Sequence, residues 1–339
     1  MAVTPSTGYQ SASRVAADAA AAGPIKVKPL GENGWSQCTN PVWGTYWIQT
    51  TPTQQDEFTG LFQIIGGYVR VCGPATLDAV VSSIVVNQNN WANTSLQATA
   101  FWNGKCSACA LHVNEGSSTV EVSHISPKNE KLLASFDTCS ACLITGLAMA
   151  KDQTLYAAVE SQSGSSNSSI YVWNYGSPSP TILPGQSGMT GVGVAVDAAK
   201  NVYWTANAAT ASGTTGEVWE YPYEPSGTYG SPTLLQSTSE VAGILLSPSA
   251  GGPMAYSLPS AGEVAVTTDG KPSYIKTGGH PEALSLDSTG TVLMVTDPVN
   301  NRISTYAFPE GKPIGSWSLR IKKHRKVFPT SMMSYLAPK

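Results

Sequence analysis

The feature that most constrains the fold is a unit of about 45 residues that recurs in the C-terminal half of the chain. Short apolar runs begin at Gly146, Gly193, Gly243 and Glu282, at spacings of 47, 50 and 39 positions. A polar turn and a second apolar segment follow each run, as in residues 201–205 and 291–296. A unit that returns at this spacing is typical of repeat architectures, in which neighbouring units share a core.

Each unit contains four predicted β-strands. Its third segment alternates apolar and polar residues, with β-branched or aromatic side chains at the apolar positions, as in residues 169–175 and 216–221. This period of two predicts a strand rather than a helix. A shorter fourth segment follows a turn, as at Pro180 and Pro232. Four strands in a repeat of about 45 residues predict one blade of a β-propeller.

The predicted fold class is therefore all-β, a β-propeller of six four-stranded blades. A single four-stranded sheet has two faces that it cannot cover alone, so blades pack radially until the ring closes. Residues 31–319 accommodate about six blades of about 45 residues each. Four of them occupy residues 141–319, and residues 31–140 form either divergent, cysteine-containing blades or a separate cap. We expect a flexible lead at residues 1–30 and a basic tail at residues 320–339.

The last unit, residues 280–303, resembles an NHL repeat. It contains a proline, an apolar run that ends in Asp287, a glycine turn, an apolar strand that ends in Asp297, and then Asn300-Asn301-Arg302-Ile303. The resemblance implies that Asp297 and Arg302 pair between neighbouring structural elements. It covers the C-terminal half of the chain and is partial in the earlier units. It implies a propeller fold but no activity, because this fold carries enzymes and binding modules alike.

The charge balance excludes a broadly basic nucleic-acid surface and an acidic, disordered chain. The sequence has 19 Lys and Arg against 22 Asp and Glu, a net charge of −3, and 12% charged residues. RNA binding through a propeller face, as in some NHL-type proteins, is therefore disfavoured. No stretch reaches the ~18 apolar residues of a membrane helix. Residues 1–23 lack the apolar core of a signal peptide.

Five of the 19 basic residues lie within seven positions near the C-terminus. They are Arg320, Lys322, Lys323, Arg325 and Lys326. This cluster either contacts an anionic surface, polymer or acidic partner, or is a solvated end whose charges protect an edge strand from aggregation.

The cysteines form the most specific pattern in the sequence. They are Cys38, Cys72, Cys106, Cys109, Cys139 and Cys142, and the last four form two Cys-Ser-Ala-Cys tetrapeptides 33 positions apart. We expect disulfides that close each tetrapeptide or tie the two together, with Cys38 and Cys72 as a third pair. A zinc site of four thiolates and unpaired thiols are the alternatives. An even cysteine count with few charges suits an oxidising, extracellular environment.

Several polar residues are candidates for chemistry. Asp152, Asp197 and Asp287 stand at equivalent repeat positions. The sequence favours a role in the turn between the first and second strands, where each accepts backbone hydrogen bonds; the alternative is a ring of carboxylates that holds a cation. A lactonase-like metal site would draw on Glu160, Asn207, Asp287 and Asp297, although no spacing demands it.

Recurring aromatic residues are predicted to pack between blades rather than to form a stacking platform for sugars or bases. They are Tyr156, Tyr203 and Tyr256 in one set of repeat positions and Trp173, Trp219 and Tyr306 in another. Among the histidines, only His280 stands where a loop enters the channel mouth. The sequence contains no serine-nucleophile elbow, zinc-protease helix motif or phosphate-binding glycine loop.

These features predict a non-catalytic interaction module that presents propeller loops to a protein or glycan partner. We expect it to be secreted or associated with the cell envelope, and we assign no catalytic residue, cofactor or metal site. The alternative is a propeller enzyme, a lactonase-like hydrolase or a lyase, with a metal at the channel mouth. Such an enzyme needs at least three carboxylate, asparagine or histidine ligands within about 2.0–2.6 Å of one ion.

Overall fold

Regular structure in the described part of the chain is almost entirely β-strand. The computed structural model describes residues 27–28, 41–51, 60–70, 77–85, 97–99, 109–113, 118–125, 130–161, 168–211, 213–246, 251–286, 290–300, 302–317, 319–321 and 325–335. One 3-10 turn at Pro259–Ala261 interrupts the strands. Within these ranges, no helix has the length and apolar character needed to cross a membrane.

The strands follow one another with short turns. In the N-terminal part they are β1 (Val27–Lys28), β2 (Pro41–Thr51), β3 (Gly60–Arg70), β4 (Leu77–Val85), β5 (Gln97–Thr99), β6 (Cys109–Val113), β7 (Thr119–Ile125) and β8 (Glu130–Asp137). In the middle of the chain they are β9 (Cys142–Met149), β10 (Leu155–Ser161), β11 (Ser168–Trp173), β12 (Thr181–Pro184), β13 (Thr190–Val196), β14 (Val202–Thr210), β15 (Gly213–Tyr221) and β16 (Thr233–Thr238). The remaining strands are β17 (Ile244–Leu246), β18 (Met254–Leu258), β19 (Glu263–Thr268), β20 (Lys271–Lys276), β21 (Leu284–Leu286), β22 (Val292–Asp297), β23 (Arg302–Ala307), β24 (Pro313–Trp317), β25 (Leu319–Ile321) and β26 (Arg325–Tyr335).

These strands form six antiparallel sheets arranged around one axis. Four sheets are meanders of consecutive strands, β5–β8, β9–β12, β13–β16 and β17–β20. A fifth has the order β21-β22-β23-β24-β1, and the sixth has the order β25-β26-β2-β3-β4. The strands β5, β9, β13, β17, β21 and β26 contact one another in that cyclic order, which closes a ring of innermost strands. The predicted all-β fold and its β-propeller architecture are confirmed.

The hydrophobic core lies between successive sheets. On β9, Leu147 packs with Leu111 of the preceding sheet, whereas its neighbour Ala148 packs with Trp204 of the following sheet. Successive residues separate in this way because side chains of a strand alternate between its two faces. Both faces of the β9–β12 sheet are therefore buried, which is the burial that a single blade cannot achieve alone.

Glycines on the innermost strands allow these strands to approach closely. Gly146, Gly193 and Gly243 occupy equivalent positions, opposite the same position of the second strand in each sheet. A Cβ atom at Gly146 would lie 2.8 Å from Cα of Gly193, and one at Gly193 would lie 2.7 Å from Oγ1 of Thr205. The fourth equivalent residue, Ala283, carries a Cβ atom. The glycine that begins three of the four repeats is thus a packing residue.

Both ends of the chain take part in closing the ring. Strand β26 pairs with β2, for example Met332 with Ile48, so the last strand of the chain joins a sheet built from the N-terminal part. Strand β1 pairs with β24 as the outermost strand of the neighbouring sheet. A ring of sheets leaves open strand edges at its seam, and pairing across the seam satisfies them. Residues 1–26 and 336–339 lie outside the described residues, so the flexible lead and the basic tail stay predictions.

Part of the basic cluster lies on a hairpin formed by β25 and β26. Arg320 lies on β25, and Arg325 and Lys326 begin β26, where Arg320 is paired with Lys326. Lys322 and Lys323 lie outside the described residues. Contact of this cluster with an anionic surface stays a prediction.

Loops emerge on two faces of the ring. We call the side on which the innermost strands begin the upper face, and the side on which they end the lower face. In an antiparallel meander, the turns after the first and third strands lie on the lower face. The turn after the second strand and the connection to the next sheet lie on the upper face.

We expect Gly146→Ala to reduce the free energy of unfolding by about 1–3 kcal/mol, because the new Cβ atom meets backbone that cannot move aside. The matched control is Ala283→Gly at the equivalent position of a later sheet, which should cost no more than about 1 kcal/mol. Urea unfolding measures both values. Equal effects of the two substitutions would contradict the close approach of the innermost strands.

Candidate functional site

The aspartates at equivalent repeat positions close turns on the lower face. Oδ1 of Asp197 accepts hydrogen bonds at 2.8 Å from two backbone N–H groups, one of them that of Asn201, whose Nδ2 also donates to Oδ2 at 2.9 Å. Oδ1 of Asp152 accepts one from the N–H of Thr154 at 3.2 Å. The turn role is confirmed for Asp152 and Asp197. Asp287 lies outside the described residues.

Asp297 and Arg302 connect two neighbouring sheets on the upper face. The buried carboxylate of Asp297 accepts hydrogen bonds from the N–H of Asn300 at 3.0 Å, from its Nδ2 at 2.7 Å and from Nη2 of Arg302 at 3.2 Å. The same Nη2 atom donates to the carbonyl oxygen of Thr277 in the preceding sheet at 2.8 Å. The pairing that the repeat resemblance implied is present, and both oxygens of Asp297 have protein partners.

Side chains at the upper ends of the second strands fasten each sheet to the next. Nδ2 of Asn207 donates to the carbonyl oxygen of Val241, and its Oδ1 accepts from the N–H of the same residue, both at 2.9 Å. The buried hydroxyl of Thr205 donates to the carbonyl oxygen of Ala242 at 3.1 Å. One sheet further, Oγ of Ser257 donates to the carbonyl oxygen of Glu282 at 2.6 Å. The side-chain amide of Asn207, which would supply the metal ligand, is therefore already used to hold two sheets together.

The candidate ligands of a lactonase-like metal site lie on different sheets. Glu160, Asn207 and Asp297 belong to three sheets, all at the upper face, and the last two are engaged as described above. In the part of the chain that the structure describes, no group of three or more His, Cys, Asp or Glu residues is placed to hold a metal ion.

The upper mouth of the channel carries a half-buried carboxylate beside a histidine. Glu282 precedes the innermost strand β21, and its Oε1 lies 3.9 Å from Nε2 of His280. Burial raises the pKa of the Glu282 carboxyl, His280 opposes this, and the charges of Asp297 and Glu240 raise the pKa further. A carboxyl with a raised pKa at the end of a channel is a candidate proton donor or acceptor.

A hydrogen-bonded loop projects from the lower face between β15 and β16. It comprises residues 222–230, and we call it the lower hairpin. The N–H of Glu224 donates to the carbonyl oxygen of Thr228, and the N–H of Gly230 donates to that of Pro222, both at 2.8 Å. Residues 224–228 at the tip are exposed. The connection is therefore a small structure of its own with a solvent-facing tip.

Aromatic side chains anchor the lower hairpin to the ring. The rings of Tyr223 and Tyr229 meet edge to face, with centroids 5.1 Å apart. The hydroxyl of Tyr229 lies 3.1 Å from that of Tyr156 in the preceding sheet, and burial raises the pKa of Tyr229 to about 12. Nζ of Lys200 lies 5.2 Å from the ring centroid of Tyr223.

An ion pair completes the anchor. Nζ of Lys200 is 2.5 Å from Oδ2 of Asp152, which belongs to the preceding sheet. Partial burial raises the pKa of Asp152, but the hydrogen bonds from Lys200 and Thr154 outweigh it, so the pKa lies below its ordinary value. Both side chains are partly exposed, so the pair contributes less than about 1 kcal/mol to stability. Its role is to position Lys200, whose backbone is left-handed with φ 69°, against Tyr223.

The second Cys-Ser-Ala-Cys tetrapeptide closes on itself. Cys139 and Cys142 lie at disulfide distance, with Cα atoms 5.3 Å apart; Cys139 lies in the turn between β8 and β9, and Cys142 begins β9. Cys109 begins β6. The other candidates, Cys38, Cys72 and Cys106, lie outside the described residues, so their pairing stays a prediction.

The recurring aromatic residues pack between sheets as predicted. Their positions along the strands, however, differ from the equivalences that the repeat pattern assigned to them. Tyr156 and Trp173 are at most 1% exposed. Trp173 is equivalent to Tyr221 and Tyr306, since each lies opposite the start of the second strand, whereas Trp219 lies two positions earlier. Period-two alternation does not fix this alignment, because a shift of two residues leaves the buried face unchanged.

The sequence analysis missed the residues that anchor the lower hairpin. Tyr223 and Tyr229 stand six positions apart in a Pro- and Gly-rich insertion between a third and a fourth strand. Their contact arises because the insertion folds back on itself with Tyr223 bridged to Tyr229. The sequence feature that could have indicated these residues is the length of this connection, which is greater than that of the other connections between a third and a fourth strand.

We expect Asn207→Ala to lower the free energy of unfolding by about 1–3 kcal/mol, because it leaves the buried N–H and carbonyl groups of Val241 without partners. Asn174→Ala, at an exposed asparagine, is the control and should change stability by less than about 0.5 kcal/mol. Urea unfolding with and without EDTA measures both. If EDTA lowers the stability of the wild type but not that of the Asn207→Ala variant, Asn207 is a metal ligand instead.

Comparison with known proteins identifies the fold. No model of a known protein family matches the chain, and no curated protein sequence matches it. TolB from Acinetobacter baumannii superposes with a TM-score of 0.60 at 14% identity over 88% of this chain and 67% of that one. A protein from Lactobacillus plantarum superposes with a TM-score of 0.53 at 14% identity over 87% of this chain and 100% of that one.

A further solved structure carries the name of an enzyme. A candidate 6-phosphogluconolactonase from Bacteroides fragilis superposes with a TM-score of 0.52 at 14% identity, over 90% of this chain and 100% of that one. Binding proteins and enzymes share this architecture, and function resides in sites built on it. At these identities the likeness concerns the fold alone: the chain is a β-propeller similar in architecture to these proteins.

Proposed function

We propose that this chain is a non-catalytic interaction module that presents the lower hairpin to a protein partner. The observation that carries the proposal is the anchoring of an exposed tip by tyrosines and an ion pair from the preceding sheet. Binding by a loop costs less conformational entropy when the loop is already ordered, so an anchored loop is suited to recognition. Rigid scaffolds with functional loops are a recurrent arrangement.

The chemistry of the tip favours a protein over a glycan. Glu224, Ser226 and Thr228 are exposed and supply a charge and two hydroxyls. The tyrosine rings that a sugar would stack on are engaged, since Tyr223 faces both Tyr229 and the ammonium group of Lys200. Mixed polar groups around a rigid projection are typical of the rim of a protein interface.

We also propose that the module is secreted or located in the cell envelope. The disulfide distance between Cys139 and Cys142 supports this, because disulfides form and persist in oxidising compartments. The low share of charged residues, 12%, and the even number of cysteines agree with it.

We expect substitution of the tip, Glu224→Ala with Ser226→Ala and Thr228→Ala, to abolish binding of the partner while leaving the fold intact. The reason is that these side chains face solvent and their hydrogen bonds lie within the tip. Immobilised wild-type and variant chains are compared by quantitative mass spectrometry of proteins captured from an envelope and secreted fraction. A glycan microarray probed with the same two chains tests the other class of partner.

The control for this experiment is a second lower-face turn. Glu310→Ala with Lys312→Ala changes two exposed residues between β23 and β24 and should capture the same proteins as the wild type. If the tip substitutions leave the captured proteins unchanged, the lower hairpin is not the binding site and the proposal is wrong. Array binding without protein capture assigns the module to glycans.

A second candidate function is hydrolysis of a sugar lactone at the upper mouth of the channel. It is favoured by the raised pKa of Glu282 beside His280, together with the name of the B. fragilis structure. In this reading, Glu282 exchanges a proton with the water that attacks the lactone carbonyl. It is tested with purified wild-type chain and 6-phosphogluconolactone, measured above the spontaneous hydrolysis rate. Hydrolysis that Glu282→Gln abolishes would overturn the non-catalytic proposal.

The same variant has a predicted effect on stability. The pKa of Glu282 is raised in the folded state, so its ionisation weakens folding as the pH rises above the ordinary glutamate value. We expect Glu282→Gln to raise the melting temperature at pH 7 and to leave it unchanged near pH 3, which is below the ordinary glutamate pKa, so that the carboxyl is protonated in both states. Thermal unfolding followed by circular dichroism at the two pH values measures this. A gain of the same size near pH 3 would contradict the assigned ionisation.

A further inference from the structure

Each sheet of the ring ends in an outer strand that no further strand of the same meander covers. These outer strands are β4, β8, β12, β16, β20 and β24. The outer edge of such a strand presents backbone N–H and C=O groups that can pair with another chain. Proteins protect these edges with charged residues, with proline or with a covering segment. The edges that lack such protection are the ones available for binding.

The chain itself covers one of these edges. β24 contains no charged residue, and β1 pairs antiparallel with it, with Val27 opposite Trp317 and Lys28 opposite Ser316. The pairing of β24 with β23 contains a β-bulge, as does that of β16 with β15, so a bulge does not prevent a strand from adding at this position. The neighbouring outer strand β4 lies against both β1 and β24.

Three further outer strands carry protective features of their own. β20 begins with Lys271 and ends with Lys276, and β8 begins with Glu130 and ends with Asp137. If either strand paired antiparallel with its own copy over its full length, like charges would lie opposite each other, which is destabilising. β12 has four residues and ends at Pro184, which has no N–H group to donate.

β16 has none of these features. It comprises Thr233–Thr238, with the sequence Thr-Leu-Leu-Gln-Ser-Thr, which contains no charged residue and no proline. No strand in the part of the chain that the structure describes pairs with its outer edge. The side chain of Leu234 on this strand is 44% exposed. An uncharged edge with an exposed apolar side chain favours pairing with another strand.

The sequence of β16 is complementary to itself. When two copies pair antiparallel over the full strand, Thr233 lies opposite Thr238, and Leu234 lies opposite Ser237. Paired threonines stabilise neighbouring strands, and no register brings like charges together because the strand has none. Antiparallel pairing of identical strands also has two-fold symmetry, which is the commonest symmetry of homo-oligomers. These properties favour a second copy of the chain as the strand that binds here.

We propose that two copies of this chain associate through β16, and that antiparallel pairing of the two strands joins their four-stranded sheets into one continuous sheet. The two-fold axis lies perpendicular to the strands, so one ring is turned over relative to the other. The two lower hairpins, each of which leads into β16, therefore project in opposite directions. This inference goes beyond the proposed function, because it does not use the exposed tip of the lower hairpin and needs no other protein.

The oligomeric state of the full chain tests the proposal. Two paired strands of six residues bury less surface than the roughly 1,200–2,000 Å² of a standard interface. We therefore expect a dissociation constant of roughly 10–100 µM. Sedimentation velocity between about 1 and 300 µM should show the sedimentation coefficient rise from that of a monomer to that of a dimer by mass action. A monomer over the whole range overturns the proposal.

A charged variant locates the interface. Leu234→Lys should weaken dimerisation by about tenfold or more, because it replaces apolar contact with a charge at two symmetric positions. Leu132→Lys is the matched control: it makes the same change on the outer strand β8, where Leu132 is 52% exposed, and should alter the dissociation constant by less than about twofold. Because both side chains are exposed, the fold should persist, which circular dichroism verifies. Equal losses in the two variants, or no loss in either, place the contact elsewhere and overturn the proposal.

Hydrogen exchange followed by mass spectrometry locates the interface without any substitution. At about 300 µM, the amides of residues 233–238 should exchange more slowly than at about 1 µM, whereas those of residues 132–137 should exchange equally at both concentrations. Protection that appears only in other segments overturns the proposal. The tip variant, Glu224→Ala with Ser226→Ala and Thr228→Ala, should dimerise as the wild type does. Failure of protein capture by the lower hairpin is therefore distinguishable from failure of dimerisation.

Discussion

The structure depends on how closely one sheet can pack against the next. Around the ring, the innermost strands approach until the space for a Cβ atom at Gly146 is taken by the backbone of Gly193. At the upper ends of the second strands, Thr205 and Ser257 donate hydrogen bonds to carbonyl groups of the following sheet. Interiors tolerate few voids, so glycine and short hydroxyl side chains recur where sheets meet. The hydrophobic clusters then fill the wider space further out.

This packing also decides which polar residues are free to act. The carboxylates of Asp197 and Asp297 and the amide of Asn207 looked suited to metal binding, yet each is hydrogen-bonded to backbone or to a neighbouring side chain. Buried polar groups need such partners, and their absence costs about 1–3 kcal/mol each. The groups left for function lie in loops, as at the exposed tip of the lower hairpin.

The strand positions of the repeated tyrosines are an example of what the sequence pattern does not determine. Tyr156 and Tyr256 look equivalent in sequence, but Tyr156 is paired with Ala148 and packs toward the following sheet, whereas Tyr256 is paired with Ile244 and packs toward the preceding one. A displacement of one position along a strand turns the side chain to the opposite face. Turns of unequal length hide such displacements, because they change the spacing without changing the alternation.

The sequence by itself determined the strands, their grouping in fours and the burial of both faces, since these follow from local alternation and from a repeat that no single sheet can stabilise. It also determined the turn role of Asp197, which depends on neighbours within four residues. Only the tertiary structure decided that β26 pairs with β2 and that Tyr229 meets Tyr156. It also placed Arg302 against the carbonyl oxygen of Thr277 in the preceding sheet. These contacts join residues far apart in the chain, and their geometry is set by ring closure, which no local pattern encodes.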